Sequence, residues 1–368
     1  MTTTSSQRLR LAMIGVGLGS APHRSSLIEL QQEGELEWTW ACARDAGRLA
    51  AVDLPATVRR TTRLNDVLAD PDVTAVLVLT PPDAHLEITR RAAAAGKHVL
   101  VEKPLEIDLP RAEALLACCE DAGVKLAVML QYRLREGPIA LRQRIASGAL
   151  GELVSASVSV RWWRPQSYYD APGRGTLARD GGGVLMTQAI HTLDLLLWLV
   201  GMPDHVTGQV RTSALHTMEC EDTATALLHY SNGAVVTLLA TTAAYPGYPE
   251  RIEINGTRGT ATLESGRLVL QQIDGNTFET AASSGFGGGA DPMVFDPAPH
   301  RAVLQDFVCA VRDDRLPATD GRSALDVQRV IDAIMRSSAE AREVLLPHAN
   351  RNEDAEPVPN AWASAASR

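Results

Sequence analysis

Short apolar segments alternate with helical patterns over roughly the first 130 residues of the chain. Each is short enough to be a strand buried on both faces of a sheet. Because the segments between them have helical patterns, successive strands are joined by crossover connections, which favour a parallel sheet with helices on both faces. The apolar segments are residues 9–14, 36–43, 73–79, 99–101 and 125–130. The sequence therefore predicts an α/β fold that begins with a doubly wound parallel sheet.

Composition limits the classes to which the chain can belong. With 368 residues, 45% of them hydrophobic and 21% charged, it has the length and balance of a soluble protein with two domains. A net charge of −9 argues against a nucleic-acid backbone as the main partner. Residues 1–8 are too polar for a signal peptide, and we expect no apolar run of membrane-spanning length. We therefore predict neither nucleic acid nor membrane as a partner.

The second half of the chain has a different pattern. In residues 154–162, apolar side chains alternate with Ser and Arg, which is the period of a half-buried strand. Later strands are separated by Asn-Gly and Ser-Gly pairs, which are strong hairpin signals. We expect an α+β domain with a large open sheet of mixed or antiparallel strands. Its apolar side, residues 154–160, would suit burial in a homodimer or homotetramer.

Residues 15–21, Gly-Val-Gly-Leu-Gly-Ser-Ala, form the first strand-to-helix turn. Gly15 would permit a tight turn, Gly17 would let a phosphate approach the backbone, and Ser20 takes the place of a third glycine. Backbone N–H groups and a helix N-terminus in this arrangement bind pyrophosphate. Glycines alone are weak evidence, since many loops are glycine-rich. Their position after the first strand predicts a Rossmann-type dinucleotide site.

The end of the second strand bears on the choice of cofactor. An acidic residue there binds the ribose hydroxyls of NAD, whereas an arginine accommodates the 2′-phosphate of NADP. Here the acid position is Ala43, followed by Arg44, which favours NADP over NAD. Two alternatives stay open: Asp45 could reach the ribose, and Arg44 could be an ordinary exposed loop residue.

Residues 102–104, Glu-Lys-Pro, directly follow a buried strand. Charges at such a strand end are costly unless they are used or paired, and proline cannot continue the sheet. A capped strand end before a turn is the structural alternative. Ligands of parallel sheets bind at the carboxyl ends of the strands. The residues predicted at those ends are Gly15, Arg44, Pro81 and Lys103.

A long helix is predicted over residues 184–200, after three glycines. Thr187, His191 and Asp194 would share one face, because they are four and three residues apart. A histidine in such a helix is more often a core residue. We favour a functional His191, because the glycines would allow a ligand to approach closely. The nearby helix N-terminus would keep its imidazole neutral.

These patterns also divide the chain. We predict a dinucleotide-binding domain over residues 1–131, a second domain over residues 132–349, and a disordered polar tail over residues 350–368. Residues 276–296, rich in Gly, Ser and Ala, are predicted to be a mobile loop. The five cysteines are an odd number without metal-type spacing. We therefore predict no metal site and the reduced thiols of a cytoplasmic protein.

Four motifs occur together along the chain: the glycine turn with His23 on the next helix, Thr-Pro-Pro-Asp-Ala-His at residues 80–85, residues 95–104 ending in Glu-Lys-Pro, and three glycines before His191. Together they resemble the Gfo/Idh/MocA family of NAD(P)-dependent oxidoreductases over nearly the whole chain. The Glu-Lys-Pro element and the histidine helix are the most specific pair. The resemblance implies a sugar, polyol or sugar-nucleotide substrate.

The resemblance also implies roles for individual residues. Lys103 would assist proton transfer at the reacting carbinol or ketone, with a pKa lowered by the cationic nicotinamide and by exclusion of water. His191 would be a second acid/base or would orient the substrate. Glu102 would point away to hold the loop, and the peptide before Pro104 would be cis. Family members often carry Asp four residues before the histidine; Thr187 stands there, which weakens a His–Asp relay.

The predicted site falls into three groups of residues. Arginines in residues 161–176 would suit a carboxylate or phosphate on the substrate. The predicted residues are, for catalysis, Lys103 and His191; for the cofactor, Gly15, Gly17, Leu18, Gly19, Arg44, Thr80, Pro81, His85, Glu102 and Lys103; and for the substrate, Arg164, Tyr169, Arg174, Thr187 and Gln188. Two alternative functions stay open: an NAD-dependent glycosidase that oxidises its substrate transiently, and a dinucleotide or sugar sensor without turnover.

Overall fold

The structure, a computed structural model, describes residues 8–281 and 296–347. Its contacts divide the chain into two compact units, Met1–Gln131 with Asp296–Leu325, and Tyr132–Phe295 with Asp326–Arg368. Residues 296–325, which the sequence assigns to the second domain, instead pack in the first unit, because their helix lies on the parallel-sheet domain. The predicted disordered tail and most of the predicted mobile loop lie outside the described residues.

The described residues contain fifteen strands. Strands β1 to β6 belong to the first unit and β7 to β15 to the second. Their bounds are β1 Leu9–Ile14, β2 Leu36–Cys42, β3 Arg59–Thr61, β4 Ala75–Val78, β5 His98–Val101, β6 Leu126–Val128, β7 Leu153–Arg161, β8 His205–Arg211, β9 Thr223–His229, β10 Val235–Thr241, β11 Arg251–Gly256, β12 Gly259–Glu264, β13 Arg267–Gln272, β14 Thr277–Glu279 and β15 Val344–Leu345.

Eleven α-helices lie in the same described ranges. Short 3₁₀ turns precede α1, α4 and α6, and a π-helical turn, Leu185–Ala189, precedes α9. The helices are α1 Ala21–Gln32, α2 Ala46–Ala51, α3 Leu64–Leu68, α4 His85–Ala94, α5 Leu109–Asp121, α6 Glu136–Ala146, α7 Gln166–Tyr169, α8 Leu177–Asp180, α9 Ile190–Val200, α10 Ala298–Arg312 and α11 Gly321–Glu340.

All six strands of the first unit run parallel, in the order β3-β2-β1-β4-β5-β6. The predicted doubly wound α/β fold is confirmed. Central side chains such as Leu11, Val76 and Leu100 are fully buried, as expected of strands covered on both faces. The direction of winding reverses between β1 and β4, and ligands of such sheets bind at that point. The loops after β1 and β4 are therefore the first place to look for a site.

The second unit contains a nine-stranded sheet in the order β14-β13-β12-β11-β7-β10-β9-β8-β15. Only β7 and β10 pair in parallel among its described strands, which confirms the predicted open mixed sheet. The hairpin between β12 and β13 turns at Ser265 and Gly266, both with positive φ. That is the geometry of a type I′ turn, whose twist matches the flanking strands.

The apolar side of β7 faces the core of its own unit. Ala156, Val158 and Val160 are at most 4% exposed and lie on the side of the sheet that α9 covers. The prediction that residues 154–160 offer an apolar face to another subunit is therefore wrong. The opposite face of β7 carries serines, with Val154 as its exposed apolar residue. The oligomer prediction loses the observation on which it depended.

One stretch, Leu177–Val200, is long and apolar enough to cross a membrane, although the sequence analysis found no such run. It is interrupted by Gly181, Gly182 and Gly183, and 89% of its most apolar part is buried inside the protein. Such burial is typical of a core helix, because the apolar side chains contact the sheet of their own unit rather than a lipid. All five cysteines are free.

Candidate active site and cofactor-binding turn

The turn after β1 touches the loop after β4 at the reversal point of the sheet. Gly15 has φ +107°, and its N–H donates to the Cys42 carbonyl oxygen at 2.8 Å. A Cβ on Gly15 would lie 2.7 Å from the carbonyl carbon and oxygen of Leu79. Both the dihedral angle and the space therefore require glycine here. The tight turn predicted at this position is present.

The outer part of the same turn is open. A Cβ on Gly17 or on Gly19 would meet nothing within 4 Å. Ser20, at the third-glycine position, is buried and donates from Oγ to the Gly17 carbonyl oxygen at 2.7 Å, so it makes no side-chain cap on α1. Leu18 belongs to the 3₁₀ turn Leu18–Ser20. With no acidic residue in its first turn, α1 keeps its N-terminal amides available, which fits a pyrophosphate.

The end of β2 presents Arg44 to solvent. Asp45 is the N-cap of α2: its carboxylate accepts the Arg48 N–H at 2.9 Å, and that hydrogen bond lowers its pKa. The carboxylate that could have served ribose hydroxyls is thus already used in capping. Arg44, two residues after the end of β2, is exposed and is the charged residue nearest to that strand end.

The loop after β4 is tied to the Glu-Lys-Pro turn through His85. This side chain is fully buried, with Nδ1 3.0 Å from the Pro104 carbonyl oxygen and Nε2 2.9 Å from the Thr80 carbonyl oxygen. Predicted to bind cofactor, His85 has no surface with which to touch a ligand, because the two loops enclose it. It positions Thr80 and Pro81, which are partly exposed.

Glu102 accepts hydrogen bonds at the end of β5 from two sides. Oε1 lies 2.7 Å from His23 Nε2, and Oε2 accepts the Lys103 N–H at 3.0 Å. Burial alone would raise the pKa of Glu102, but the hydrogen bond from His23 and the charges of His23, Lys103 and His300 lower it to about 2. The carboxylate is thus ionised, and its two oxygens join α1 to the backbone of Lys103.

Lys103 follows Glu102 in the chain and donates its backbone N–H to the Glu102 carboxylate. It is half-buried, and the Lys103–Pro104 peptide is cis, as the family resemblance implies. The ammonium and the Glu102 carboxylate interact electrostatically, so Glu102 does not point fully away from it. A lysine beside a carboxylate gains stability in its charged form, whereas burial acts in the opposite direction.

His300, from α10, completes a cluster with His23 and Glu102. Their potential ligand atoms lie within 4.8 Å of one another, and two imidazoles with a carboxylate are groups that can hold a metal ion. The 2.7 Å contact between His23 Nε2 and Glu102 Oε1, however, is a hydrogen bond. The positive charge of Lys103, which acts on the same carboxylate, opposes the binding of a divalent cation. We therefore interpret the cluster as a hydrogen-bonded network. This network was not predicted from the sequence.

In the second unit, the space beside two of the three glycines before α9, Gly182 and Gly183, is filled by the chain itself. A Cβ on Gly183 would lie 1.7 Å from the Glu221 carbonyl oxygen, and one on Gly182 would lie 2.7 Å from Met186 Cγ. The Glu221 carboxylate accepts the N–H groups of Gly183 and Leu185 at 2.9 and 3.0 Å, and burial raises its pKa. The prediction that a ligand approaches closely is wrong at Gly182 and Gly183, because Met186 and Glu221 occupy the space beside them.

The π-helical turn Leu185–Ala189 means that residues 184–200 are not one continuous α-helix as predicted. The wider turn shifts Thr187 relative to His191 from the expected α-helical stacking. Thr187 Oγ1 lies 2.6 Å from the Gly183 carbonyl oxygen and also contacts Oε1 of the buried Gln188. Both predicted substrate residues are thus engaged within this turn.

His191 is 7% exposed and lies at the start of α9. Its ring stacks on the Tyr132 ring, with centroids 4.9 Å apart. The Arg135 guanidinium lies 3.3 Å from the centroid of the Tyr132 ring and forms an ion pair with Glu250. The expectation that the helix N-terminus keeps His191 neutral loses its basis, because the Glu221 carboxylate already binds the first amides. Stacking on tyrosine, rather than the helix dipole, fixes this imidazole.

Asp194 forms an ion pair with Arg133, which no sequence pattern predicts. The ion pair is bidentate, with Arg133 Nε 2.8 Å from Asp194 Oδ2, and both side chains are at most 4% exposed. Breaking such a buried pair on one side leaves an uncompensated charge. Asp194 therefore anchors α9.

Two predicted substrate residues, Arg164 and Arg174, lie around one aromatic ring. Their guanidinium carbons are 5.5 and 4.1 Å from the Tyr168 ring centroid. Arg164 is 5% exposed, and its pKa is lowered mainly by burial, with Arg174 also contributing. Tyr169 is buried and its hydroxyl lies 2.7 Å from Thr242 Oγ1, so that side chain supports the loop from beneath.

The backbone of Arg164 is held by a buried pair, His216 and Asp222. His216 Nδ1 lies 2.7 Å from Asp222 Oδ2, and Nε2 lies 2.8 Å from the Arg164 carbonyl oxygen. This pair, like His300 and Arg133, was not predicted from the sequence. Arg133 and His300 meet their partners through tertiary contacts between elements, whereas His216 and Asp222 lie six residues apart in the loop before β9. No spacing rule for a single strand or helix could have found these contacts.

Two family profiles match the chain. Residues 9–130 match the oxidoreductase family with an NAD-binding Rossmann fold, and residues 139–262 match the GFO/IDH/MocA C-terminal domain. The chain belongs to the Gfo/Idh/MocA family. Its Rossmann fold and second sheet are those of this family, and it is an NAD(P)-dependent oxidoreductase, as the sequence predicts.

Relatives in the Gfo/Idh/MocA family cover nearly the whole chain. Inositol 2-dehydrogenase of Rhizobium meliloti is 26% identical, over 91% of this chain and 98% of its own. D-apiose dehydrogenase of Paraburkholderia graminis is 28% identical, over 94% and 92%. The WlbA dehydrogenase of Bordetella pertussis, solved in complex with NADH and UDP-GlcNAcA, is 29% identical with a TM-score of 0.79, over 92% of this chain and 99% of its own.

Proposed function

We propose that this oxidoreductase transfers a hydride between a nicotinamide and a hydroxyl-bearing carbon of a sugar, polyol or sugar nucleotide. The relatives named above act on or bind inositol, apiose and a UDP-sugar, which supports this class. The observation that carries the proposal is the place of Lys103, at the carboxyl end of β5 in a sheet whose cofactor turn is open. When bound there, the nicotinamide would accept or donate the hydride.

Lys103 is the proposed acid/base. Hydride removal from a carbinol also requires loss of the hydroxyl proton, so a group that can both bind and release a proton is needed. The chain has only three lysines but 32 arginines. Lys97 donates to two carbonyl oxygens, the nearer that of Val73 at 2.6 Å, and Lys125 pairs with an aspartate. Lysine at 103 supplies what arginine cannot, because arginine does not deprotonate in proteins.

His191 is the proposed substrate-orienting residue of the second unit. Its imidazole is fixed by the Tyr132 ring, so it can present one nitrogen in a defined direction. Thr187 and Gln188 belong to the adjacent π-helical turn, and π turns frequently occur at functional sites. Because Asp194 is bonded to Arg133, no carboxylate relay through Asp194 is part of the proposal.

Arg164 and Arg174 are proposed to bind an anionic group of the substrate. Two guanidiniums around one ring repel each other, and a carboxylate or phosphate between them would remove that cost. A sugar acid or a sugar nucleotide carries such an anion; a neutral polyol does not.

The first experiment is a screen of polyols, sugar acids and nucleotide sugars that follows nicotinamide absorbance. With the best substrate, we expect Lys103→Arg to lower turnover by about 10²- to 10⁴-fold, because the proton acceptor is lost while the charge stays. NADH affinity should remain within a few-fold. Lys125→Arg, at the pair with Asp314, is the matched control. Near wild-type turnover in Lys103→Arg would refute the assignment, and sugar release without net nicotinamide reduction would favour the glycosidase alternative.

We further propose that NADP is preferred to NAD. Arg44 is exposed at the end of β2, and the capping role of Asp45 removes the competing acid. Titration followed by fluorescence should give tighter binding of NADPH than of NADH, and Arg44→Ala should weaken NADPH by about tenfold without changing NADH. Arg48→Ala, one turn further on, is a control for loss of a nearby positive charge. Tighter binding of NADH to the wild type would overturn the preference.

A further inference from the structure

His23 and His300 lie next to Glu102, the residue that precedes the proposed catalytic Lys103. The two histidines belong to α1 and α10, which are far apart in sequence. We propose that both are positioning residues for Lys103: they hold the Glu102 carboxylate and take up part of the charge that would otherwise act on the Lys103 ammonium. This inference rests on the proposed function, since it concerns the group assigned there to proton transfer. The helix α10 would then have a functional role, although it belongs to the first unit and follows strands β7 to β14 of the second unit along the chain.

The first contact is between His23 and Glu102. His23 is fully buried, and its Nε2 lies 2.7 Å from Glu102 Oε1. An ionised carboxylate has no proton to donate, so His23 Nε2 must carry the hydrogen and donate it. A hydrogen bond to a charged acceptor is short and strong, and it withdraws charge from the oxygen that receives it. His23 thus competes with Lys103 for the same carboxylate.

The second contact sets the direction of His23. The His300 ring meets the His23 ring edge to face, with centroids 5.1 Å apart and planes at 85°. His300 is 7% exposed and lies in the first turn of α10, which packs against α1. The ring contact fixes the plane of the His23 imidazole, and so fixes where Nε2 points. Removal of His300 should loosen that hydrogen bond without deleting it.

The third contact reaches the lysine. The second oxygen of Glu102 accepts the Lys103 N–H at 3.0 Å. One carboxylate therefore joins α1 to the backbone of the residue proposed to move the proton. The charged or titratable groups that act on Glu102 from the surrounding elements are His23 on α1, His300 on α10 and Lys103 itself.

The consequence is a change in the Lys103 titration. Without the His23 donor, the full Glu102 charge would act on the ammonium and would favour its protonated form. The midpoint of Lys103 should then rise. Because the chain has only three lysines, reductive methylation with ¹³C-formaldehyde gives a spectrum in which each lysine can be followed, and methylation keeps the positive charge. Lys103→Arg assigns the signal.

The variants are His23→Leu, His23→Gln and His300→Leu, with His229→Leu in the second unit as the control. We expect His23→Leu to raise the Lys103 midpoint by about one pH unit, and His300→Leu to raise it by less. His23→Gln, which can still donate a hydrogen bond but carries no charge, should raise it by less than His23→Leu. The Lys125 midpoint should not move. An unchanged Lys103 midpoint in both leucine variants, or equal shifts in His23→Gln and His23→Leu, would overturn the proposal.

The measurement needs no substrate, so it separates this inference from the proposed function. If Lys103→Arg keeps full turnover, the proposed function fails whatever the midpoints show. If Lys103→Arg is inactive and the midpoints do not move, only the positioning role fails. Should His23→Leu not fold, His300→Leu still decides the question, because it leaves the His23–Glu102 hydrogen bond in place and removes the ring contact and the charge of His300.

Discussion

Two glycine-rich turns stand before helices in this chain, and the structure uses them in opposite ways. The turn after β1 has open space beside Gly17 and Gly19, and no side chain caps the helix that follows. The turn before α9 is filled: Glu221 lies against Gly183 with its carbonyl oxygen and binds the nearby amides with its carboxylate. A glycine can make room for a ligand or for the protein itself. Sequence alone does not distinguish the two.

The largest effect should come from filling the second turn. In Gly183→Ala, the new methyl group would overlap the Glu221 carbonyl oxygen, which belongs to the backbone and cannot rotate away. We expect the free energy of unfolding to fall by about 3 kcal/mol, at the upper end of overpacking costs. Urea denaturation measures it, and hydrogen exchange should show the loss in peptides of the second unit. An alanine tolerated at 183 without loss would mean that the turn is not closed by Glu221.

The first turn can be tested with two neighbouring glycines. Gly15→Ala introduces a Cβ 2.7 Å from the Leu79 carbonyl and at φ +107°, so we expect a loss of about 1 to 3 kcal/mol in the free energy of unfolding. Gly17→Ala meets nothing and should change that free energy by less than about 0.5 kcal/mol. If the open space holds a pyrophosphate, Gly17→Ala should nevertheless weaken NADH binding by about tenfold or more.

The outcome for Gly17 separates the two uses of glycine directly. Calorimetric titration of NADH into the Gly17→Ala protein gives the affinity, while urea denaturation of the same sample gives stability. Loss of affinity without loss of stability is the expected signature of a ligand-binding glycine. Equal affinity in wild type and variant would show that the cofactor does not approach the backbone at 17.

Much of the first unit could be predicted because its site follows from local rules. Parallel strands bring their carboxyl ends to one edge, so the positions of Gly15, Arg44 and Lys103 relative to the sheet follow from strand order alone. His85 shows the limit of that rule. It stands in the expected loop, yet its nitrogens face carbonyl oxygens of both loops, and burial rather than position decides what it can touch.

The second unit was harder because its helix depends on partners that no periodicity reveals. The pattern found the strands, the hairpins and the helix, but not the π turn or the ion pair of Arg133 with Asp194. Glu221 likewise comes from a segment that the sequence analysis did not single out, ahead of β9. Side chains that reach across the chain to fill a turn or neutralise a charge are chosen by the fold, and each needs coordinates to be recognised.

The smallest effect is the pH dependence of stability at two carboxylates, Glu221 at the filled turn and Glu102 at the end of β5, and the two should have opposite signs. Burial raises the pKa of Glu221 above its ordinary value, so its contribution to stability is full below about pH 4.5 and is lost as the pH rises through the raised value. Glu102 is partly buried, but His23 and the neighbouring charges lower its pKa to about 2. Its contribution is therefore present above about pH 4.5 and is lost as the pH falls.

Glutamine variants turn this difference into a measurement. Between about pH 3 and pH 7, Glu221→Gln should gain stability relative to the wild type as the pH rises, because it removes a carboxylate that is costly to ionise. Over the same range, Glu102→Gln should lose stability relative to the wild type as the pH rises, by about 1 kcal/mol. Urea midpoints of the three proteins at several pH values provide the comparison. Slopes of the same sign would show that the pKa of one of the two carboxyl groups is shifted in the opposite direction to the one expected.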